Sequence, residues 1–389
     1  MWIYLLLAAG LFMGWSLGTN DAANAFGTAV ATRVVKYRTA VIIIATMVLV
    51  GAVTLGHQNI TKLSNIATNN EVVAGVDELE NVGVEYEKDE DGNYVLDENK
   101  NPIILSTDKI DNTKLADLRL KSALKAAIIF ACAAITVFVM SYLKFPVSAN
   151  QSVTGAVIGW GLCYADYSNP AIRGDNLTEI LEFMSTWLIN PLGAALISFV
   201  LVWIVKKFIE KRLTSMKSYD TVIKIGYICA GAFSAFSIGQ NSSASVTAFY
   251  YDATGMGANL IYGNEGWLTG ARIAAILGGV AIAVGVLTFS KRVMMTVGGS
   301  IAEISQVDGF VVIIASALTV VLMGNLMGIP VSTSQSVVGA VIGAGLVGGA
   351  KKVHFGVLKN VAIAWVSSPT VAGLLAFLVG LATKGFFGA

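Results

Sequence analysis

KFPVSANQSVTGAVIGWGL, residues 144–162, is written a second time with few changes as GIPVSTSQSVVGAVIGAGL, residues 328–346. Both copies set hydroxyl and carboxamide side chains inside strongly apolar text, and both carry a proline just before them. Proline cannot extend a helix from its preceding turn, but it suits the first turn of the next one. Pro146 and Pro330 therefore predict a break followed by a fresh helix N-terminus, at two places in the chain. The GAVIG that follows each copy supplies small residues for close helix packing.

The text around these copies is that of a membrane protein. Hydrophobic residues make up 55% and charged residues 13% of the chain, where a soluble domain carries about 25% charged. Mean hydropathy is +0.69. Apolar runs fall near 2–31, 39–56, 121–143, 146–165, 178–205, 221–249, 266–290, 309–328, 330–349 and 356–384. Most are long enough to cross a bilayer as a helix, and none alternates as a barrel strand does. The expected fold is all-α and polytopic. The opening MWIYLLLAAGLFMGWSLG lacks a basic n-region and runs straight into a polar motif, so it reads as a first span and not as a cleaved signal peptide.

Several function classes lose support. A net charge of +1 gives no argument for nucleic acid. Cys132, Cys163 and Cys229 stand singly in apolar runs and read as packed free thiols. No Walker A sequence points to an ATP-driven pump, and no nucleophile–base constellation points to an enzyme. His57 and His354 read as interfacial, and Glu303 as a gate or a surface charge. The natural partner is the lipid bilayer, and a homo-oligomer is compatible with the pattern.

Basic residues set the orientation. They gather at Arg33, Lys36 and Arg38, at Lys144, in the loop 206–224, at Lys291 and Arg292, and at Lys351 and Lys352. With the N-terminus outside and the runs alternating, all five clusters fall on the cytoplasmic side of a cell membrane. Residues 71–120 are polar and acidic and fall outside. There VEYEKDEDGNYVLDEN reads as a small hairpin on a solvated insertion; its carboxylate spacing does not fit an EF-hand.

A second, weaker match extends the repeat. GLFMGWSLGTNDAANAF begins at Gly10 and GAFSAFSIGQNSSASVT at Gly231. The two matches differ in spacing by about the length of the acidic insertion. Residues 1–205 and 221–389 therefore read as two repeats of five runs each, with broken or re-entrant helices at the PVS motifs, joined by a basic linker at 206–220. An odd number of runs inverts the second repeat, and inverted repeats with broken helices at matching places are the architecture of secondary transporters.

Asp21 is a carboxylate within an uncharged helix, a placement that costs at least ~3 kcal/mol unless it is protonated, paired or bound to a cation. Asn24 shares its helix face. Carboxylate and amide oxygens together suit a hard cation such as sodium, with Gln240, Asn241, Ser242 and Ser245 as neutral oxygens at the matching place. Two helix N-termini converging from opposite sides attract an oxyanion through unpartnered N–H groups and the helix dipole. Ser148, Asn150, Gln151 and Ser152 lie on the first turns of one, and Ser332, Thr333, Ser334, Gln335 and Ser336 on the other.

At GTNDAANAFGTAVATRVV and at both PVS copies the sequence resembles the inorganic phosphate transporter (PiT) family, over the whole chain apart from the insertion. The resemblance implies import of inorganic phosphate driven by a sodium or proton gradient. It departs from the family where Gln240-Asn241-Ser242 replaces a second ND signature, and where Val48, Ile313 and Gln335 stand for protonatable residues. Those losses favour sodium. The implied mechanism puts sodium at Asp21, Asn24, Asn241, Ser242 and Ser245, with Ser148 and Ser332 completing the shell. Phosphate docks on the two PVS ends, with Asn20 among its contacts, and no organic cofactor takes part. Proton coupling, sulfate as the cargo, an ion channel and a receptor using the acidic segment are the rival readings.

Overall fold

The computed structural model describes residues 2–57, 83, 85–87, 104–106, 111–143, 147–164, 170–209, 215–253, 270–297, 305–327, 331–349 and 355–387. Pro146, Pro330, Glu303, His354 and most of the acidic insertion lie outside the described residues. The described residues form helices and one two-stranded ribbon, with short turns between them. Its helices are α1 (Trp2–Ala31), α2 (Tyr37–Gly51), α3 (Asn112–Tyr142), α4 (Ala149–Tyr164), α5 (Pro170–Ile204) and α6 (Met216–Ala253). They continue as α7 (Gly270–Phe289), α8 (Lys291–Val297), α9 (Gln306–Met327), α10 (Thr333–Val347) and α11 (Phe355–Phe387). Single π-turns extend α2 (Ala52–Gly56) and α5 (Val205–Ile209).

Among the described residues, seven helices are long and apolar enough to cross a membrane, so the chain is a multi-pass membrane protein. The two PVS helices are different. α4 has 16 residues and α10 has 15, and at about 1.5 Å per residue both stop short of the ~30 Å hydrocarbon core. They start behind the proline and not at it, as the cap requires: Ser332 is extended and its hydroxyl accepts the Gln335 amide.

The expected hairpin is corrected in one respect. Glu85–Tyr86 pairs antiparallel with Ile104–Ser106, a return strand beyond the end of the VEYEKDEDGNYVLDEN stretch that the expected hairpin spans. α3 then begins on Asp111, whose carboxylate accepts from the Thr113 and Lys114 amides at 2.9 and 3.3 Å. Those bonds hold its carboxyl below the ordinary value. Cys132 and Cys163 are buried as expected, but Cys229 is exposed. It lies on an outward face of α6 beside exposed Ile225, and an apolar face needs no cover where lipid supplies it.

Contacts between the two halves come in exchanged pairs. Gly18 faces the Ile282 carbonyl on α7, and Gly239, its sequence match, faces the Val48 carbonyl on α2. Gly51 faces Phe236, and Gly285 faces Trp15, the match of Phe236. Gly155 and Gly159 of α4 meet the Pro369 and Gly373 carbonyls of α11, while Gly339 and Gly343 of α10 meet those of Pro191 and Ala195 on α5. At each place a Cβ would collide with a carbonyl oxygen, so the backbones touch only because the residue is glycine. The matching helices α1 and α6 run antiparallel, with Gly14 against Val246 and Gly231 against Phe26.

One apolar core joins α1, α2, α3, α4, α6 and α7 around Phe26, Phe130, Trp160 and Tyr227. A smaller one joins α5, α9 and α10 around Val202, Val312, Ala315 and Val341. Basic residues mark one end of the bundle. There Lys206 pairs with Asp308 at 2.9 Å, Gly309 packs on Tyr227 and Thr28, and Tyr37 reaches Ser290 at 3.3 Å beside Lys291.

Candidate functional site

Where α1, α4, α6 and α10 come together, the expected polar residues form one buried network. It centres on two main-chain carbonyls, those of the PVS valines. The Val147 carbonyl accepts from Asn20 Nδ2 at 2.9 Å and from Ser334 Oγ at 3.0 Å. The Val331 carbonyl accepts from Asn241 Nδ2 and Asn150 Nδ2, both at 2.8 Å. Asn20 matches Asn241 in the repeat, and Ser334 matches Asn150. Each PVS segment is thus held by the asparagine of its own half and by the first helical turn of the other half. The two helix tips meet directly.

The exchange continues one layer out. Asn24 Nδ2 reaches Ser334 Oγ at 3.2 Å, and Ser245 Oγ, at the matching place, donates to Asn150 Oδ1 at 2.7 Å. It then fails at the Asp21–Thr333 pair. Asp21 Oδ2 accepts from Thr333 Oγ at 2.9 Å. Ser242 and Ala149 stand at their matching places, and Ala149 has no hydroxyl to offer. Asp21 Oδ1 further accepts from Asn20 and Asn24 at 3.1 and 3.2 Å. The carboxylate is 4% exposed, and all these partners are neutral.

Not every expected side chain is free to take a ligand. Ser148 and Ser332 cap α4 and α10, accepting the Gln151 and Gln335 amides at 3.3 and 3.2 Å. Ser152 Oγ donates to the Ser148 carbonyl, and Ser336 Oγ to Asn190 Oδ1 and the Ser332 carbonyl. The side chains of Gln151 and Gln335, by contrast, are buried with their Oε1 atoms lacking a hydrogen-bond partner. These twin acceptors lie one residue before Ser152 and Ser336. Val48 and Ile313 are buried in the apolar core.

Two members of the network are not predicted by the motifs. Ser141 donates to Asn20 Oδ1 at 3.4 Å, and Asn190 braces α10. The signal for Asn190 is an Asn-Pro pair inside an apolar run, echoed by Ser368-Pro369 in the second half. Among the described residues there is no cluster of His, Cys, Asp and Glu of the kind that holds a transition metal. The chemistry on offer is neutral hydrogen bonding around one negative charge.

Comparison with known proteins follows the same lines. The pattern of the phosphate transporter family matches residues 17–376. A Pyrococcus horikoshii protein named "Putative phosphate permease" is 25% identical over 443 aligned positions, covering 97% of each chain. A sulfate permease of Bacillus subtilis is 26% identical over 65% of each. A solved structure titled "The sodium-dependent phosphate transporter" superposes with a TM-score of 0.69 over 98% of this chain and 99% of that one, at 21% identity. That likeness bears on the fold.

Proposed function

The chain belongs to the phosphate transporter family, and from that premise we propose that it imports inorganic phosphate in symport with sodium by alternating access. Its two halves, 1–205 and 221–389 about the linker 206–220, act as inverted repeats. The exchanged glycine contacts and the antiparallel course of α1 and α6 support that division. The N-terminus lies outside a cell membrane, which puts the Lys206, Tyr37 and Lys291 end in the cytoplasm.

The observation that carries the reading is the meeting of Asp21 with both PVS tips in one buried, neutral network. A lone buried carboxylate there is unfavourable, and a sodium ion supplies the missing charge. Asn24 and the neutral oxygens of Asn241 and Ser245 lie around the same two tips to share it, and the buried Ser242 follows Asn241 on α6. Phosphate then docks on the tips, with the Gln151 and Gln335 NH2 groups as donors and their partnerless Oε1 atoms able to accept from a phosphate hydroxyl. Among the described residues, lysine and arginine are absent from this network of hydrogen bonds, so anion affinity depends on the cation and the two loads move together.

Uptake of labelled phosphate into proteoliposomes, with sodium and proton gradients imposed separately, tests the proposal. Accumulation under an inward sodium gradient alone is the expected outcome. Accumulation only under a proton gradient replaces sodium by protons, and ohmic current replaces the carrier by a channel. Sulfate is the second reading, because one relative is named a sulfate permease and neutral donors do not by themselves separate two tetrahedral oxyanions. Unlabelled sulfate that competes as well as unlabelled phosphate would favour it.

A further inference from the structure

We propose that Asn190 is a positioning residue that braces the second PVS turn for substrate, and that the first turn has no counterpart to it. The inference rests on the transport reading above.

Asn190 lies on α5 immediately before Pro191 and is 1% exposed. Its carboxamide is fully engaged with α10. Nδ2 donates to the Ser332 carbonyl at 2.7 Å, and Oδ1 accepts from Ser336 Oγ at 2.8 Å. The two contacts are four residues apart, so the side chain spans one full turn from the cap to the residue beyond Gln335. Such a bridge fixes the pitch and rotation of that turn, and with it the direction of the Gln335 carboxamide. Asn190 has no reason to touch a ligand itself.

The rest of that turn is pinned as well. Val331 exchanges bonds with Asn241, Thr333 holds Asp21, and Ser334 reaches Val147. The first PVS turn differs at the place that matters. Ser368 stands before Pro369 on α11 as Asn190 stands before Pro191 on α5, and α11 packs on α4 through the same glycine contacts. Yet, among the described residues, the Ser368 hydroxyl is buried without a hydrogen-bond partner, and Ser152 Oγ bonds only the carbonyl of its own turn. Among the described residues, one binding turn is therefore bridged by the helix its glycines pack on and its twin is not.

The test is Asn190→Ser, which copies the side chain the fold already accepts before the twin proline. Two hydrogen bonds of ordinary strength are lost, so the concentration of phosphate giving half-maximal sodium-driven uptake rises about tenfold. Maximal rate per folded transporter stays within twofold. Ser336→Ala, which opens the same bridge from the other end, shifts half-saturation in the same direction by a smaller factor, and the double variant is no worse than Asn190→Ser alone. A merely structural role predicts the reverse, a lower yield of folded protein with half-saturation unchanged, and that result overturns the proposal. Should Asn190→Ser not fold, unchanged half-saturation in Ser336→Ala overturns it equally. If the unaltered protein takes up no phosphate, the transport reading fails and not this one. If the unaltered protein transports and the variants match it, the brace is wrong.

Discussion

At the scale of single residues, the site is a twofold pattern broken at Asp21 and again at Asn190. Asn20 and Asn241, Ser334 and Asn150, and Asn24 and Ser245 make equivalent bonds in the two halves. Asp21 with Thr333 has no such counterpart, since Ser242 and Ala149 stand opposite. A pair of equal carboxylates would hold two charges in one apolar interior, each costing at least ~3 kcal/mol without a cation. One carboxylate leaves a single charge for a cation to balance. Asp21→Asn keeps the size and the capacity to bond Thr333 but removes that charge. It is expected to abolish sodium-stimulated phosphate uptake while thermal unfolding of the purified protein shifts little. Near-normal sodium-stimulated uptake in this variant would remove Asp21 from the cation site. Ser242→Ala, with no charge to lose, is expected to weaken sodium dependence by a modest factor only.

At the scale of elements, the short helices α4 and α10 are held by backbone contact. Adding a methyl at Gly343 drives it into the Ala195 carbonyl, and at Gly159 into that of Gly373. Glycine to alanine within a helix gains about 1 kcal/mol in propensity, while overpacking against main chain costs about 1–3 kcal/mol. The second effect prevails at those positions. Gly343→Ala and Gly159→Ala are expected to lower the unfolding temperature, and Gly161→Ala, which meets open space on α4, is expected to leave it level or raise it. Equal shifts in all three would mean that the carbonyl contacts do not set the packing. This level was largely legible in the sequence. Long charge-free runs announce helices because the bilayer leaves a spanning chain little other choice, and doubled PVS text announces two helix starts because proline has few other places to sit. What stayed hidden is what one line of text does not encode. The Val147 and Val331 carbonyls are main-chain atoms, identical in every residue. Asn190 lies about forty residues beyond the turn it could have served by local reasoning, and braces the other half's turn instead. The return strand at Ile104–Ser106 escaped because a turn signal fixes where a chain bends and not how far away it pairs.

At the scale of the whole molecule, the proposed alternating access would relate two arrangements of similar energy through the exchanged contacts. If α4 packs on α11 as α10 packs on α5, then opening the site toward one face and toward the other are related by the same exchange of halves. Rocking one pair against the common α1–α6 core moves the shared site from one side to the other without unpacking either pair. The second apolar cluster is built mainly from α5, α9 and α10, with Val361 of α11 joining it. Thr154, half-buried on the second turn of α4, reports on the rocking. With Cys229 changed to Ser and the buried Cys132 and Cys163 left in place, Thr154→Cys offers one reactive thiol to an impermeant reagent added to either face of oriented vesicles. Sodium alone is expected to raise labelling from outside. Sodium with phosphate is expected to lower it there and raise it from inside, because the fully loaded carrier crosses between its two arrangements. Labelling confined to one face under every condition would mean that the tips line a one-sided vestibule, and the exchange of halves would then describe the architecture of this protein without describing its motion.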